Sequence, residues 1–225
     1  MAKIIPASRK SGERCVESIY RKRDNPAMQD EAVTLETFIF PLNTVLFPDG
    51  TLQLRVFEQR YLEMTKICLR DSRPFGVCLI REGNEVGTPA VPERVGTLAA
   101  IAHWDMPQLG LFSLTARGGA RFRILEDTVS SSGLITAQIE CWDDDPAGAA
   151  IDPACLEVLK LLIERAGSEH FPAPLRLDDA AWVGCRLAEI LPIDNAARQA
   201  LLEMRDAGER LQRLRQLLDE LGYPG

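Results

Sequence analysis

The stretch over residues 40–80 constrains the fold most, because its apolar residues change from a period of two to a helical period. Leu52, Leu54 and Val56 alternate with polar neighbours, which predicts a strand with one buried face. Pro-Asp-Gly at 48–50, just before that strand, has the composition of a tight turn. The sequence therefore predicts a turn, a strand and then a helix.

The helix is predicted directly after this strand and ends before Pro74. Its buried stripe is formed by apolar residues at spacings of four, three and four: Phe57, Tyr61, Met64 and Cys68. Glu58 is expected in the first turn, where a carboxylate offsets the helix dipole, and Arg70 in the last.

The order of these residues resembles the N-terminal, substrate-binding domain of Lon-type ATP-dependent proteases, in its stand-alone bacterial form. The matching pieces are Phe-Pro-Leu at 40–42, Leu-Phe-Pro-x-Gly at 46–50, Leu-x-Val-Phe-Glu-x-Arg-Tyr at 54–61 and Phe-Gly-Val at 75–77. Gly96-Thr97 and Gly119-x-Arg121-Phe122 continue the pattern, which covers about residues 37–221. The resemblance implies an α+β fold, a PUA-like β-barrel or folded sheet with one helix, followed by a C-terminal helical bundle.

The residues themselves also favour a β-rich first half. Candidate strands are 36–40, 52–56, 75–81, 95–103, 111–116, 121–127 and 134–140. Short strands between glycine and proline turns, with one helix, predict a small barrel or folded sheet. We expect a hairpin with a three-residue loop over 117–119, because it pairs Ala116 with Ala120 and keeps the apolar faces together.

The second half is predicted to be helical. Acidic residues, proline and glycine over 142–148 indicate a linker. Asp152-Pro153 opens one helix, Asp178 or Asp179 caps a second, and Asp194 caps a long last helix over 195–221.

We expect three parts: a flexible head over 1–34, a PUA-like β subdomain over 35–145 and a helical subdomain over 151–222. The head is polar and the family pattern begins only near Phe38. Met28 is an alternative start, so the head is either an upstream extension or a flexible N-terminus.

Charge and composition exclude several classes of protein. Residues 1–30 hold seven basic and four acidic groups, which gives them a net charge of +3. The net charge of the whole chain is −7, so residues 31–225 carry −10. A body with this charge repels phosphate groups, and nucleic acid is therefore not an expected partner. No apolar run approaches the ~18 residues of a membrane helix, and no secretory signal is visible. The six cysteines are scattered, so we expect buried thiols, a cytoplasmic location and no membrane association.

Catalysis is not expected. The five lysines never follow a glycine, so no phosphate-binding Gly-Lys loop can form. A Lon protease also needs a Ser–Lys dyad in a C-terminal domain, which we do not expect in this chain. His103 and His170 lack metal-binding spacing, so no metal and no cofactor are predicted.

The main candidate site is the stretch over 103–111, which should form a hairpin tip. Hairpin tips are usually polar, yet this one carries Trp104, Met106 and Leu109. An apolar tip either packs on the helical half or forms a contact surface. A second candidate is a groove between the barrel and the helices, floored by Phe47 and Tyr61.

Other residues of the family pattern are expected to be structural rather than functional: Glu58, Arg60, Gly76, Gly96, Arg121 and Phe122. The sequence thus predicts a non-enzymatic module whose partners are unfolded or extended polypeptides, with a protease as a further candidate partner. The alternatives are an RNA-binding PUA-like module, since that barrel type often binds RNA, and a small-molecule sensor.

Overall fold

A computed structural model describes residues 34–142, 145 and 148–223. The predicted head lies outside this part except for Thr34, as do four residues of the predicted linker. The described strands come first: β1 (Thr34–Leu42), β2 (Thr51–Val56), β3 (Phe75–Glu82), β4 (Val91–Gln108), β5 (Leu111–Val129) and β6 (Ile135–Cys141). The helices are α1 (Gln59–Asp71), between β2 and β3, and then α2 (Pro153–Ala166), α3 (Ala180–Ile190), α4 (Asn195–Glu203) and α5 (Ala207–Glu220), with a short 3-10 helix (Ser168–His170) after α2. The fold is therefore α+β, as predicted.

The strands form a mixed sheet that closes on itself. Their order is β2-β5-β4-β3-β1-β6, and β6 also pairs with β5. β1 pairs in parallel with β3, and every other pairing is antiparallel. Strands β1, β3, β4, β5 and β6 therefore form a closed barrel. β2 pairs with residues 112–117 of β5, before the part of β5 that pairs with β6.

β4 and β5 are much longer than the other strands and extend beyond the barrel. β3 pairs with β4 only as far as Ala99, while the β4–β5 pairing continues to Gln108 and Leu111. We call residues 100–108 of β4 and 111–117 of β5 the ribbon. β2 lies along the β5 side of this ribbon.

The predicted hairpin over 117–119 is wrong, because β5 runs without interruption through both glycines. Gly118 is instead required by a close approach of the loop that precedes β2. Its amide donates to Gly50 O at 2.8 Å, and its carbonyl accepts from the Asp49 amide at 2.9 Å. An added Cβ would lie 2.2 Å from Phe47 O, so a larger residue does not fit.

The helix after β2 begins two residues later than predicted, at Gln59. Tyr61, Met64 and Cys68 are buried, as expected, but Phe57 precedes the helix and is 57% exposed. Glu58 occupies the N-cap position without a side-chain cap hydrogen bond. Together with apolar residues of the ribbon and of β1–β3, α1 encloses one buried cluster, while a second cluster fills the barrel interior.

The predicted N-caps of the helical half are confirmed. Asp152, Asp179 and Asp194 each accept a hydrogen bond from a backbone amide of the helix that follows. The predicted single last helix is wrong, because it breaks between Glu203 and Ala207 and restarts with Asp206 as a new N-cap.

A third apolar cluster joins the helices to the barrel. It combines residues of α2–α5 with five residues from the first half: Val45, Phe47, Leu79, Val95 and Trp142. The five cysteines that the structure describes are all buried, and burial raises the pKa of the Cys78 and Cys185 thiols. Among the described helices, none is both long and apolar enough to cross a membrane.

Candidate functional site

The far end of the ribbon exposes a set of large apolar side chains. Trp104 is 43% exposed, Met106 is 44% exposed and Leu109 is 98% exposed. We call these three residues the ribbon patch. Phe57, which the sequence places in the helix stripe, is another exposed apolar residue, and it directly follows β2 at this end of the sheet.

The turn that ends the ribbon places Leu109 in solvent. Gln108 and Leu111 are the last paired residues, so Leu109 and Gly110 form the loop between them. Gly110 has a φ of 83°, a conformation that glycine adopts at no steric cost. The Leu109 side chain therefore makes almost no contact with the sheet.

The ribbon patch is continuous with the buried cluster under α1. Trp104 is paired with Leu114, and directly opposite side chains of antiparallel strands lie on the same face. The Trp104 ring packs edge-on against Phe112, with centroids 5.8 Å apart, and Phe112 is 5% exposed. Packing therefore holds the Trp104 ring in place while part of its surface remains accessible.

The opposite face of the ribbon is polar. His103 is paired with Thr115 and Asp105 with Ser113. Asp105 Oδ1 accepts a hydrogen bond of 2.8 Å from the backbone amide of Met106. The ribbon therefore has one apolar and one polar face, and its apolar face reaches beyond the cover that α1 provides.

The structure does not bring Phe47 and Tyr61 together in one groove. Phe47 is fully buried in the cluster between barrel and helices. Tyr61 is buried in the cluster under α1, where its ring stacks on Phe40 at 4.1 Å and burial raises its pKa. Neither ring is accessible to a partner in this conformation.

Glu58 and Arg60 link the start of α1 to the barrel. Arg60 is 5% exposed, pairs with Glu58 at 3.0 Å and donates to Gly133 O at 3.3 Å. Gly76 and Gly96 lie on neighbouring strands against the ring of Phe122, which is fully buried. Each of these contacts joins elements of the protein itself.

Arg121 connects the barrel with the helical half. Its guanidinium donates to Leu202 O at 3.0 Å, where α4 ends, and to the carboxylate of Asp145. Arg210 donates to the other oxygen of Asp145 at 2.5 Å and to Leu201 O at 3.0 Å. Burial lowers the pKa of Arg121. Two buried arginines thus share one buried carboxylate at the junction.

A cavity of about 500 Å³ opens beside this junction, at the boundary where the sequence predicts a groove. Its lining includes Arg121, Asp49, Arg176, Trp182 and Cys185. Both arginines in its wall are paired, because Arg176 contacts Asp49 and Arg121 contacts Asp145. Burial raises the pKa of the Cys185 thiol, so this cysteine is a poor nucleophile.

A second, more apolar cavity of about 380 Å³ lies between α2 and α3, with Arg186 and Glu189 in its wall. Arg186 Nη1 lies 3.2 Å from Glu189 Oε2, and Arg186 Nη2 donates to Pro48 O at 2.5 Å. Burial raises the pKa of Glu189 to about 7, against the opposing effects of Arg186 and the Phe47 backbone. This carboxylate therefore changes charge near neutral pH.

No group of three or more His, Cys, Asp or Glu side chains within the described residues is arranged to hold a metal ion. The absence of a cofactor stays a prediction.

Comparison with known proteins identifies relatives over most of the chain. The family described as "ATP-dependent protease La (LON) substrate-binding domain" matches residues 36–220. Lon protease 2 of Herpetosiphon aurantiacus is 30% identical over 212 residues, which cover 88% of this chain and 26% of that protein. Lon protease 2 of Myxococcus xanthus is 28% identical over 193 residues, covering 80% of this chain and 23% of that protein. The chain thus spans about a quarter of the length of these curated relatives.

Solved structures show the same fold. A Lon N-terminal domain protein from Xanthomonas campestris superposes with a TM-score of 0.66 at 36% identity, covering 81% of this chain and 98% of that one. The N-terminal domain of the Mycobacterium avium complex Lon protease gives a TM-score of 0.61 over 82% of this chain and 97% of that one. At 17% identity, this second likeness concerns the fold alone.

Proposed function

The chain belongs to the ATP-dependent protease La (LON) substrate-binding domain family, and we propose that it binds unfolded or extended polypeptides through the ribbon patch. The observation that carries this proposal is the exposure of Trp104, Met106 and Leu109 at one end of the ribbon. Exposed apolar groups that adjoin each other are typical of contact surfaces. Unfolded chains differ from native ones in offering apolar side chains to such a surface.

The chemistry of the patch suits varied polypeptide partners. Tryptophan offers a large rigid surface, and methionine adapts its shape to different apolar side chains. Burial of an apolar side chain contributes about 1.5–3 kcal/mol, part of which is offset by the ordering of both partners. We therefore expect weak, reversible binding with little sequence specificity.

We propose a binding role without catalysis for the described residues. The family match concerns the substrate-binding part of Lon proteases. Burial raises the pKa of the Cys78 and Cys185 thiols, so neither of these two cysteines is an activated nucleophile. His103 lies on the ribbon and His170 on the 3-10 helix, and neither belongs to a candidate metal group. Buried thiols suit a reducing compartment, which supports a cytoplasmic location.

A polypeptide held by the ribbon patch would be available to a protease for degradation. We propose this transfer by analogy with the relatives, whose names describe Lon proteases. The acidic net charge of the chain limits its own association and disfavours nucleic acid as a partner.

A small-molecule sensor is the second candidate, because the cavity beside Arg121 has a volume typical of ligand sites. A ligand that fills it should raise the melting temperature, which a thermal-shift screen of small metabolites measures.

The polypeptide-binding proposal is tested by titrating the protein with an unfolded protein, kept unfolded by reduction and alkylation, and with its native form. We expect binding of the unfolded form only. The double substitution Trp104→Ser and Leu109→Ser should weaken this binding at least about tenfold, since two apolar contacts are lost.

Leu161→Ser is the matched control, because Leu161 is 51% exposed on α2, in the helical half. It removes an exposed apolar side chain outside the ribbon patch and should leave binding unchanged. Circular dichroism verifies that each variant is folded. Equal binding of native and unfolded protein, or equal loss in the control variant, would contradict the proposal.

A further inference from the structure

We propose that the bound polypeptide adds as a strand to the free edge of β4 beside the ribbon patch. This inference rests on the proposed function and specifies how the partner is held. Its starting point is the ribbon backbone, in addition to the exposed side chains.

The edge of β4 has no strand partner among the described residues after Ala99. β3 pairs with β4 from Val91 to Ala99, whereas β5 pairs with β4 as far as Gln108. From residue 100 onward, one side of β4 is therefore bound by β5 and the other is open. An open strand edge offers unpaired amide and carbonyl groups, and the group that matches them is another extended backbone.

The length of this free edge is limited. The Met106 amide is bound by Asp105 Oδ1 at 2.8 Å, and Pro107 has no amide hydrogen. Pairing should therefore extend over residues 100–105, across the register shift between Ile101 and His103, and stop at Met106. This segment is as long as β2.

The two faces of the ribbon define which polypeptide fits. Ile101 and Trp104 lie on the apolar face, since their β5 partners are the buried residues Ala116 and Leu114. An added strand would place alternate side chains beside them, so these positions should be apolar. The intervening side chains would lie beside His103 and Asp105 on the polar face, where a lysine or arginine would pair with Asp105.

β2 also has an open edge in the described structure, but it lacks this platform. The exposed side chains of β2 are Thr51, Gln53 and Arg55, which are all polar, whereas Leu54 and Val56 are buried. The edge of β4 thus combines free backbone groups with an uncovered apolar face.

The test uses the full chain and an octapeptide that alternates valine with lysine or threonine. Two further versions of the peptide are N-methylated at every second residue. Because successive amides of an extended strand point to opposite edges, one version is blocked along one edge and the other version along the opposite edge. We expect one version to bind like the parent and the other about tenfold or more weaker, because N-methylation removes the amide donors that pair with β4. Titration calorimetry measures the affinities, and hydrogen exchange should slow at residues 100–105 on binding.

A charge reversal tests whether the lysine side chains of the bound peptide lie beside Asp105. Asp105→Lys should weaken binding of the lysine peptide about two- to fivefold and strengthen binding of a version with glutamate in place of lysine.

Strand addition is overturned if both N-methylated versions bind like the parent, or if unfolded protein binds without slower exchange at residues 100–105. The proposed function survives that second result, whereas no binding of either peptide or unfolded protein overturns both. Concentration-dependent self-association that protects the same residues without peptide also overturns it, in favour of a second copy.

Discussion

The partly buried carboxyl of Glu189 should make the stability of this protein depend on pH in an unusual direction. Burial raises the pKa of this group from 4.5 to about 7. The protonated form is therefore favoured in the folded protein, and the stabilisation it provides is fully present below pH 4.5. It is lost as the pH rises towards 7 and stays absent above that.

The size of this effect follows from the two pKa values. At 1.36 kcal/mol per pKa unit, the difference between them corresponds to about 3 kcal/mol. The side chain of Glu189 is 25% exposed, so we reduce this to about 2 kcal/mol for solvent screening. Glu189→Gln removes the titrating group and retains a similar shape.

Urea unfolding of both proteins at pH values between 4.5 and 8 measures the effect. The free energy of unfolding of the Glu189→Gln variant, relative to the original protein, should rise by about 2 kcal/mol across this range. Use of the difference between the two proteins cancels the titration of all other groups. Glu126→Gln, at an exposed position on β5, is the control and should show no such trend. A difference that stays constant with pH, or falls, would refute the reasoning.

Two further substitutions test the junction and the long strand. Asp145→Asn should lower the free energy of unfolding by about 3–5 kcal/mol, because Arg121 and Arg210 would lose their shared buried counter-ion. Gly118→Ala should lower it by about 1–3 kcal/mol, because the added Cβ would lie 2.2 Å from Phe47 O. Chemical unfolding monitored by circular dichroism measures both.

The control for the junction is Asp127→Asn, which removes the partner of the 44% exposed Arg94. This change should cost less than about 1 kcal/mol, since exposed ion pairs contribute little. A similar cost for Asp127→Asn and Asp145→Asn would show that the buried carboxylate has no special role. For Gly118→Ala, an unchanged stability would show that the loop before β2 can move away from β5.

The sequence predicted those structural features well that depend only on neighbouring residues. Asp152 before Pro153, and Asp194 before α4, each cap a helix with their own side chain. The alternation of Leu54 and Val56 with polar residues likewise corresponds to the buried face of β2. A helix cap or a strand alternation involves only a few adjacent residues, so it can be predicted from a single sequence.

Two of the errors involve contacts between residues that are far apart in the chain. The glycines at 118–119 have the composition of a turn, but Gly118 is needed for contact with Phe47 and Gly50. The end of α4 is bound by Arg121 of the barrel, which donates to the Leu202 carbonyl, and by Arg210 of α5, which donates to the Leu201 and Met204 carbonyls. No local pattern contains these contacts.

The sequence alone determined the α+β class, the family and the presence of large apolar residues near the tip of β4 and β5. Only the tertiary structure decided whether those residues were covered, since exposure depends on where β3, α1 and the helical half end. It left Trp104, Met106 and Leu109 accessible and buried Phe47 and Tyr61, although all five are large side chains with mainly apolar surface. Hydrophobicity is a property of a residue, whereas burial depends on every element that packs around it.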